Sequence, residues 1–583
     1  MIDVDLNDAD LRDRAVAAAR GDAPFDLLIE GALVACPLTH SMRRADVGLV
    51  GALIASVHAP APRDAIARID ATGCVLAPGF IDTHMHVESS MVTPAAYAAA
   101  MLPRGVTTAL WDPHEFANVA GIAGVDYAMQ EAEASAMRLL PLVPSCVPSV
   151  PGYETAGADF DADAIAMLLA RPAAAGLAEV MDMSSVIART SRMRGIVQAG
   201  LLSEKLVCGH ARSLQGPMLQ AYAAAGITSD HELTSVEDLK ARIEAGLTVE
   251  IRGSHDHLLP DFAAYLQALP QLPPNITFCT DDVFPDDLQA SGGLDDMMRR
   301  MIRYGLSPMR ALKAATFNAA TRLNRTDLGM IAAGRRADIV ILDDLEAVRV
   351  RIVLLNGRSI DTTAPHRTTP QFMNQTMKCP KPAASDILPK AEGTRVRIAT
   401  IDQPRFTRWG EAAADVVDGR VHPPEGTTLI SVIHRHGRAD MTPRTGFLTG
   451  WGKWAGAFGT TVSHDSHNLT LFGGSAQDIA VAAAALIDCG GGMVCVQNGV
   501  VTALLPLPIG GLVSDAPLQQ VAEGFTALKT AMNAVVPWQP PYLVFKALVG
   551  ATLACNAGPH QTDLGIADPM NGRLLATPVL GPA

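Results

Sequence analysis

Two histidines spaced two apart, His84 and His86, lie in the run Ala77-Pro78-Gly79-Phe80-Ile81-Asp82-Thr83-His84-Met85-His86-Val87-Glu88-Ser89-Ser90. Alternate residues of a strand face the same side, so both imidazoles project together, about 6.5–7 Å apart at the backbone. Two imidazoles converging from one strand can chelate one metal ion. Other ligand-capable side chains follow in chain order at the ends of later apolar runs. Glu179 lies in Gly176-Leu177-Ala178-Glu179-Val180, and His210 closes Leu206-Val207-Cys208-Gly209-His210. His231 lies in Ser229-Asp230-His231-Glu232, and Asp281 in Cys279-Thr280-Asp281-Asp282. Singly each is ordinary, since a strand-end carboxylate usually caps the next helix. In sequence they suffice for two divalent ions bridged by a carboxylate and a hydroxide. Such ions lower the pKa of bound water and supply hydroxide near neutral pH.

The elements that must position these residues are short strands alternating with helices. From 77 to 334, runs such as Gly105-Val106-Thr107-Thr108-Ala109-Leu110-Trp111 alternate with Ala-rich helical stretches. That alternation predicts an α/β fold, a (β/α)8 TIM barrel, whose active site lies at the C-terminal ends of its strands. Two β-rich blocks, 1–76 and 335–361, flank the barrel and predict one discontinuous small β-sandwich. A polar, Pro-bearing stretch, 362–393, reads as a linker. The remainder, 394–583, has strand-like runs and a Gly-rich middle and reads as a C-terminal α+β domain. Within it, His434-Arg435-His436 repeats the His-x-His spacing, but its basic flank reads as a solvated strand end or an anion contact.

Composition excludes several classes of function. Apolar residues make up 49% of the 583-residue chain and charged residues 18%, enough core for a globular protein. Lys and Arg total 46 against 60 Asp and Glu, a net charge of −14 with no dense basic block, which argues against nucleic-acid binding. The longest apolar run, 479–487, is bracketed by Asp478 and Asp488 and is about half of what a bilayer crossing needs. Nine dispersed cysteines without a CxxC pair read as free thiols of a reducing compartment. With no apolar segment near the N-terminus, a cytoplasmic protein with no membrane partner is expected. No phosphate-binding GxxxxGK[ST] occurs, and the zinc motif of cytidine deaminases is absent.

The pattern of His-x-His at the first strand, a carboxylate at the fourth, His at the fifth and sixth and Asp at the eighth resembles the amidohydrolase superfamily. Within it the chain is similar to the adenine deaminase family. The likeness rests on Pro78 to Ser90, Asp112-Pro113-His114-Glu115 with Ala117-Asn118-Val119, Ser229-Asp230-His231-Glu232 and Thr280-Asp281-Asp282. It extends to Thr461-Val462-Ser463-His464-Asp465-Ser466-His467-Asn468 and Leu505-Pro506-Leu507-Pro508-Ile509-Gly510-Gly511, and so covers nearly the whole chain.

The resemblance implies that His84 and His86 hold one ion, Glu179 bridges, His210 and His231 hold the second, and Asp281 completes the site. Mn(II) is the expected metal, with Fe(II) or Zn(II) as alternatives. Adenine would be hydrolysed at C6 to hypoxanthine and ammonia, with Asp281 taking the proton of the attacking water. Glu232 and Glu115 are candidates for protonating N1, and Glu88 and Asp112 are expected to support or line the pocket. The partner is a small purine base, and a homodimer is the expected assembly. The chain departs from the family pattern at Arg252-Gly253-Ser254-His255, at Val283, at Gly292-Gly293 and at Ala211-Arg212-Ser213. Arg252 and His255 are therefore read as substrate-binding residues, and N6-methyladenine or another cyclic amidine or amide as an alternative substrate. An inactive metal-binding homologue is the remaining alternative. The cluster 463–468 is either a stabilising turn or a loop that completes the barrel mouth.

Overall fold

The computed structural model describes residues 4–360, 369–404, 406–537 and 547–583. Eight short parallel strands form the barrel: β1 (Phe80–Met85), β2 (Val106–Trp111), β3 (Arg138–Pro141), β4 (Gly176–Val180), β5 (Leu206–Gly209), β6 (Ser229–Asp230), β7 (Thr248–Arg252) and β8 (Ile276–Cys279). Regular ladders join β1-β2-β3, β4-β5 and β6-β7-β8. Three seams close the ring: a bridge between Val143 and Leu177, the bond from Thr228 N to Val207 O at 3.0 Å, and a bridge between Met85 and Asp281. The strands are buried nearly throughout, which is why they read as continuous apolar runs without alternation. At the β5–β6 seam, a Cβ on Gly209 would stand 2.2 Å from Ser229 O, so this approach requires glycine.

The flanking β-rich blocks meet in space. Val75–Pro78, entering the barrel, pairs antiparallel with Ile339–Asp344, leaving it, through Leu76 and Ile341. Hydrogen bonds run unbroken through both blocks and join them in one eight-stranded sheet. Its core of Ile29, Val47, Leu76, Ile339 and Ile341 draws on both ends of the barrel insertion.

The C-terminal domain is built on a ten-stranded sheet with a helix against each face. The apolar run noted above becomes the helix Ala476–Cys489, capped by Ser475 and ended by Gly490 at φ +85°. It packs on Val494 and Val496, while the helix Leu518–Val535 packs on Met493 and Cys495, the alternate residues of the same strand. Leu518–Val535 also faces the barrel: the Phe525 ring packs, tilted, 5.1 Å from that of Phe284, and Lys529 Nζ donates to Asp286 Oδ2 at 2.6 Å. No described helix is long and apolar enough to cross a membrane.

Two sequence readings need correction here. Of the stretch read as a linker, 361–368 lies outside the described residues, but the following segment is docked: Met373 is buried, and its carbonyl accepts from Gly510 N. Arg435, read as a solvated strand end, is fully buried. Its guanidinium donates to Thr376 Oγ1 at 2.9 Å, Gly510 O at 2.8 Å and His467 O, tying the docked segment to the sheet. A buried guanidinium must spend its donors locally, and carbonyl oxygens serve where no carboxylate is near.

Candidate metal and active site

All six expected ligands converge at the C-terminal ends of the barrel strands. Asp281 Oδ1 lies 3.3 Å from both His84 Nε2 and His86 Nε2. Glu179 occupies the centre: its Oε2 lies 2.6 Å from His210 Nδ1 and 3.3 Å from His231 Nε2, and its Oε1 3.6 Å from His86 Nε2. The His84 and His231 rings stack at 4.0 Å. His86 Nδ1 donates to Asp112 O at 2.9 Å, which fixes the ring and leaves Nε2 free as a ligand atom.

The grouping of ligand atoms differs in detail from the expected one. His84, His231 and Asp281 form one cluster, and Glu179, His210 and His231 another, each with ligand atoms within 4.8 Å of one another. A third unites His86, Asp112, His114 and Glu179. His114 is the member the sequence reading left without a role. It starts the helix His114–Ala120, just past β2, and its Nδ1 sits 3.3 Å from Asp112 Oδ2 and 3.5 Å from Glu179 Oε1.

A divalent ion fits this donor set. Both ring nitrogens of His84 and His114, Nδ1 of His231 and both oxygens of Asp112 are buried without a hydrogen-bond partner. Unpaired buried polar atoms are costly, and a cation removes the cost at several of them together. Burial pushes the His231 pKa down, but the Glu179 carboxylate outweighs it and raises His231 to about 9. The site thus draws positive charge into a buried ring of carboxylates, and a metal would take the place of those protons.

Charged and polar groups frame the open side. Arg252 pairs with both Glu232 and Asp281, and Arg212 holds the other oxygen of Glu232. Burial would raise the Glu232 carboxyl, but Arg252, His210 and Arg212 hold it well below the usual carboxylate range. Asp281 is likewise kept ionised, chiefly by Arg252 against the effect of burial. His255 goes the other way: burial and then Arg252 push it down to about 3, so it is neutral at pH 7.

These groups open on a cavity of about 530 Å³ lined by His86, His114, Glu179, His210, His231 and Asp281 on the metal side. Glu232, Arg252 and His255 form one flank. Trp451, His464, Asp465 and Asn556 of the C-terminal domain also line the cavity. The 463–468 loop therefore reaches the barrel mouth. Glu88, Asp112 and Glu115 stand behind the wall; Glu88 accepts from Trp111 Nε1 at 2.8 Å, and Glu115 lies 3.8 Å from His86 Nδ1.

Comparison with known proteins agrees with this geometry. Residues 75–376 match the model of the amidohydrolase family, and residues 404–573 that of the adenine deaminase C-terminal domain. The chain is 60% identical to "Adenine deaminase 2" of Agrobacterium fabrum, over 99% of this chain and 98% of that protein. It is 47% identical to "Adenine deaminase" of Klebsiella pneumoniae (strain 342), over 96% and 95% of the two chains. On this likeness along its whole length, the chain belongs to the adenine deaminase family of the amidohydrolases.

Proposed function

We propose that the protein hydrolyses adenine at C6, releasing hypoxanthine and ammonia. The observation that carries this is the buried ring of His84, His86, Glu179, His210, His231 and Asp281 facing a cavity of purine-compatible size and polarity. When bound, the divalent ions supply a nucleophile from water at neutral pH. Asp281, ionised and beside both His84 and His86, accepts the proton that the nucleophile sheds and returns it to the departing amine. Glu232 is clamped by two guanidiniums, which opposes the protonated form that donation to N1 requires. It serves instead as a fixed acceptor for an N–H of the base. His255, neutral and with Nδ1 buried and unpartnered, offers a hydrogen bond to a ring nitrogen. The C-terminal wall keeps bulk water from the ring.

Mn(II) is our choice of metal, because the donors are imidazole and carboxylate with no thiolate among them. A cytoplasmic setting accords with nine cysteines that form no disulfide. The test is ammonia release from adenine, N6-methyladenine and a cyclic amide by metal-loaded protein. We expect adenine to have the highest kcat/KM; turnover of the amide alone would replace this reading.

A further inference from the structure

His114 turns one edge to the barrel cluster and the other to the C-terminal domain. Its Nδ1 faces Asp112 and Glu179, whereas its Nε2 lies 3.7 Å from Asp465 Oδ1. Apart from the barrel groups, His114, Glu115 and His464 present ligand atoms that all lie within 4.8 Å of one another. Asp465 borders the same space, with Oδ1 3.6 Å from His464 Nδ1. The donor set is two imidazoles and one or two carboxylates, drawn from two domains whose contributing residues lie far apart in sequence.

Three observations point to a ligand here. Both ring nitrogens of His114, Oε2 of Glu115 and Oδ2 of Asp465 are buried and have no hydrogen-bond partner. Four carboxylates, Asp112, Glu115, Glu179 and Asp465, surround His114, and the ion pairs described for them come from imidazoles alone. The guanidiniums of Arg212 and Arg252 are committed to Glu232 and Asp281. His464, unlike the barrel ligands, is not sealed: 16% of its side chain is exposed, which gives an ion a route in from the cavity.

We propose that His114, Glu115 and His464, with Asp465 alongside, hold a further divalent cation at the seam between the barrel and the C-terminal domain, separate from the ions of the barrel cluster. Imidazole and carboxylate donors suit Mn(II), Fe(II) or Zn(II) and disfavour Mg(II) and Ca(II), which take oxygen ligands. Because His464 comes from the C-terminal domain, this ion ties the two domains across the mouth of the site. The inference concerns ion binding and does not depend on which base is turned over.

The test is a count of ions. Metal-free protein is loaded with Mn(II), freed of excess, and its bound metal measured by elemental analysis and by Mn(II) electron paramagnetic resonance. Wild type is expected to hold one more ion per chain than His464→Ala and than Glu115→Gln, while His464→Asp, which keeps a ligand atom, retains it. An equal count in wild type and in either His464→Ala or Glu115→Gln overturns the proposal. So does the loss of every ion in both variants, because these residues would then belong to one shared site.

Discussion

Replacing Arg242 by Met tests how the barrel holds the His210 and His231 loops. Arg242 is fully buried and serves two buried carboxylates. Its Nε donates to Asp230 Oδ2 at 2.9 Å, Nη1 to Asp238 Oδ1 at 3.2 Å and Nη2 to Ala211 O at 2.7 Å. Asp230 Oδ1 in turn accepts from Ala211 N at 2.8 Å and Glu232 N at 2.9 Å, so this triad clamps the backbone beside His210 and on both sides of His231. Removing one partner of a buried ion pair costs about 3–5 kcal/mol, and here one cation balances two carboxylates, which places the cost at the upper end. At about 2 °C per kcal/mol for a unit of the barrel's size, melting should fall by roughly 8–10 °C. Metal affinity should also fall, by about 10–100-fold, the usual effect of removing a group that orients ligands. Calorimetry on metal-free protein gives the first number, and competition with a chelator gives the second. A triple variant, Asp230→Asn, Asp238→Asn and Arg242→Met, removes the uncompensated charges and should regain part of the lost stability. A melting change below about 2 °C with unaltered metal affinity would show that Arg242 does not hold these loops.

Other outcomes follow from the same geometry. Asp281→Asn should lower kcat by at least about 10²–10⁴-fold, measured as ammonia release, because it removes both an anionic ligand and the proton acceptor. Arg252→Met should reduce kcat/KM for every base tested instead of shifting preference among them, since Arg252 pairs with Asp281 and Glu232. Burial, then Asp465, raises the Glu154 carboxyl to about 7 from a usual value of 4.5. The folded state keeps a proton that the unfolded chain releases, so this contribution is present below about pH 4.5 and is lost as pH rises through about 7. The full loss is about 3 kcal/mol. Glu154→Gln should therefore melt higher than wild type at pH 8 and show a flatter pH dependence between 5 and 8. Chelation of bound metal should lower the melting temperature, and readdition of Mn(II) should restore it, as binding to the native state alone requires.

The candidate ligands of the barrel were legible because each lies at the C-terminal end of a strand: His84 on β1 and His86 just past it, Glu179 on β4, His210 after β5, His231 after β6 and Asp281 after β8. Strand ends can be read from short apolar runs, and their C-terminal ends share one face of a barrel. The position of His114 carried no such signal. It follows a proline at the start of a helix, and its contact with Glu179 arises from barrel closure. Arg252 looked like a specificity residue because it sits where the family pattern changes, and only the fold shows it spent on two carboxylates. Arg435 looked solvated because charge in sequence does not reveal the segment that covers it, here the docked stretch around Met373 and Thr376. The facing of His464 onto His114 is a contact between distant parts of the chain, which no local pattern encodes.

If the clustered imidazoles and carboxylates of the barrel bind the divalent metal used to hydrolyse adenine, turnover must depend on that metal. The rate of hypoxanthine formation from adenine is followed as Mn(II) is added to metal-free protein, with Glu179→Ala titrated in parallel. The wild-type rate should climb from background with bound metal, and the Glu179→Ala rate should stay near background. A wild-type rate indifferent to metal, or full activity in Glu179→Ala, would rule out metal-dependent hydrolysis at this site.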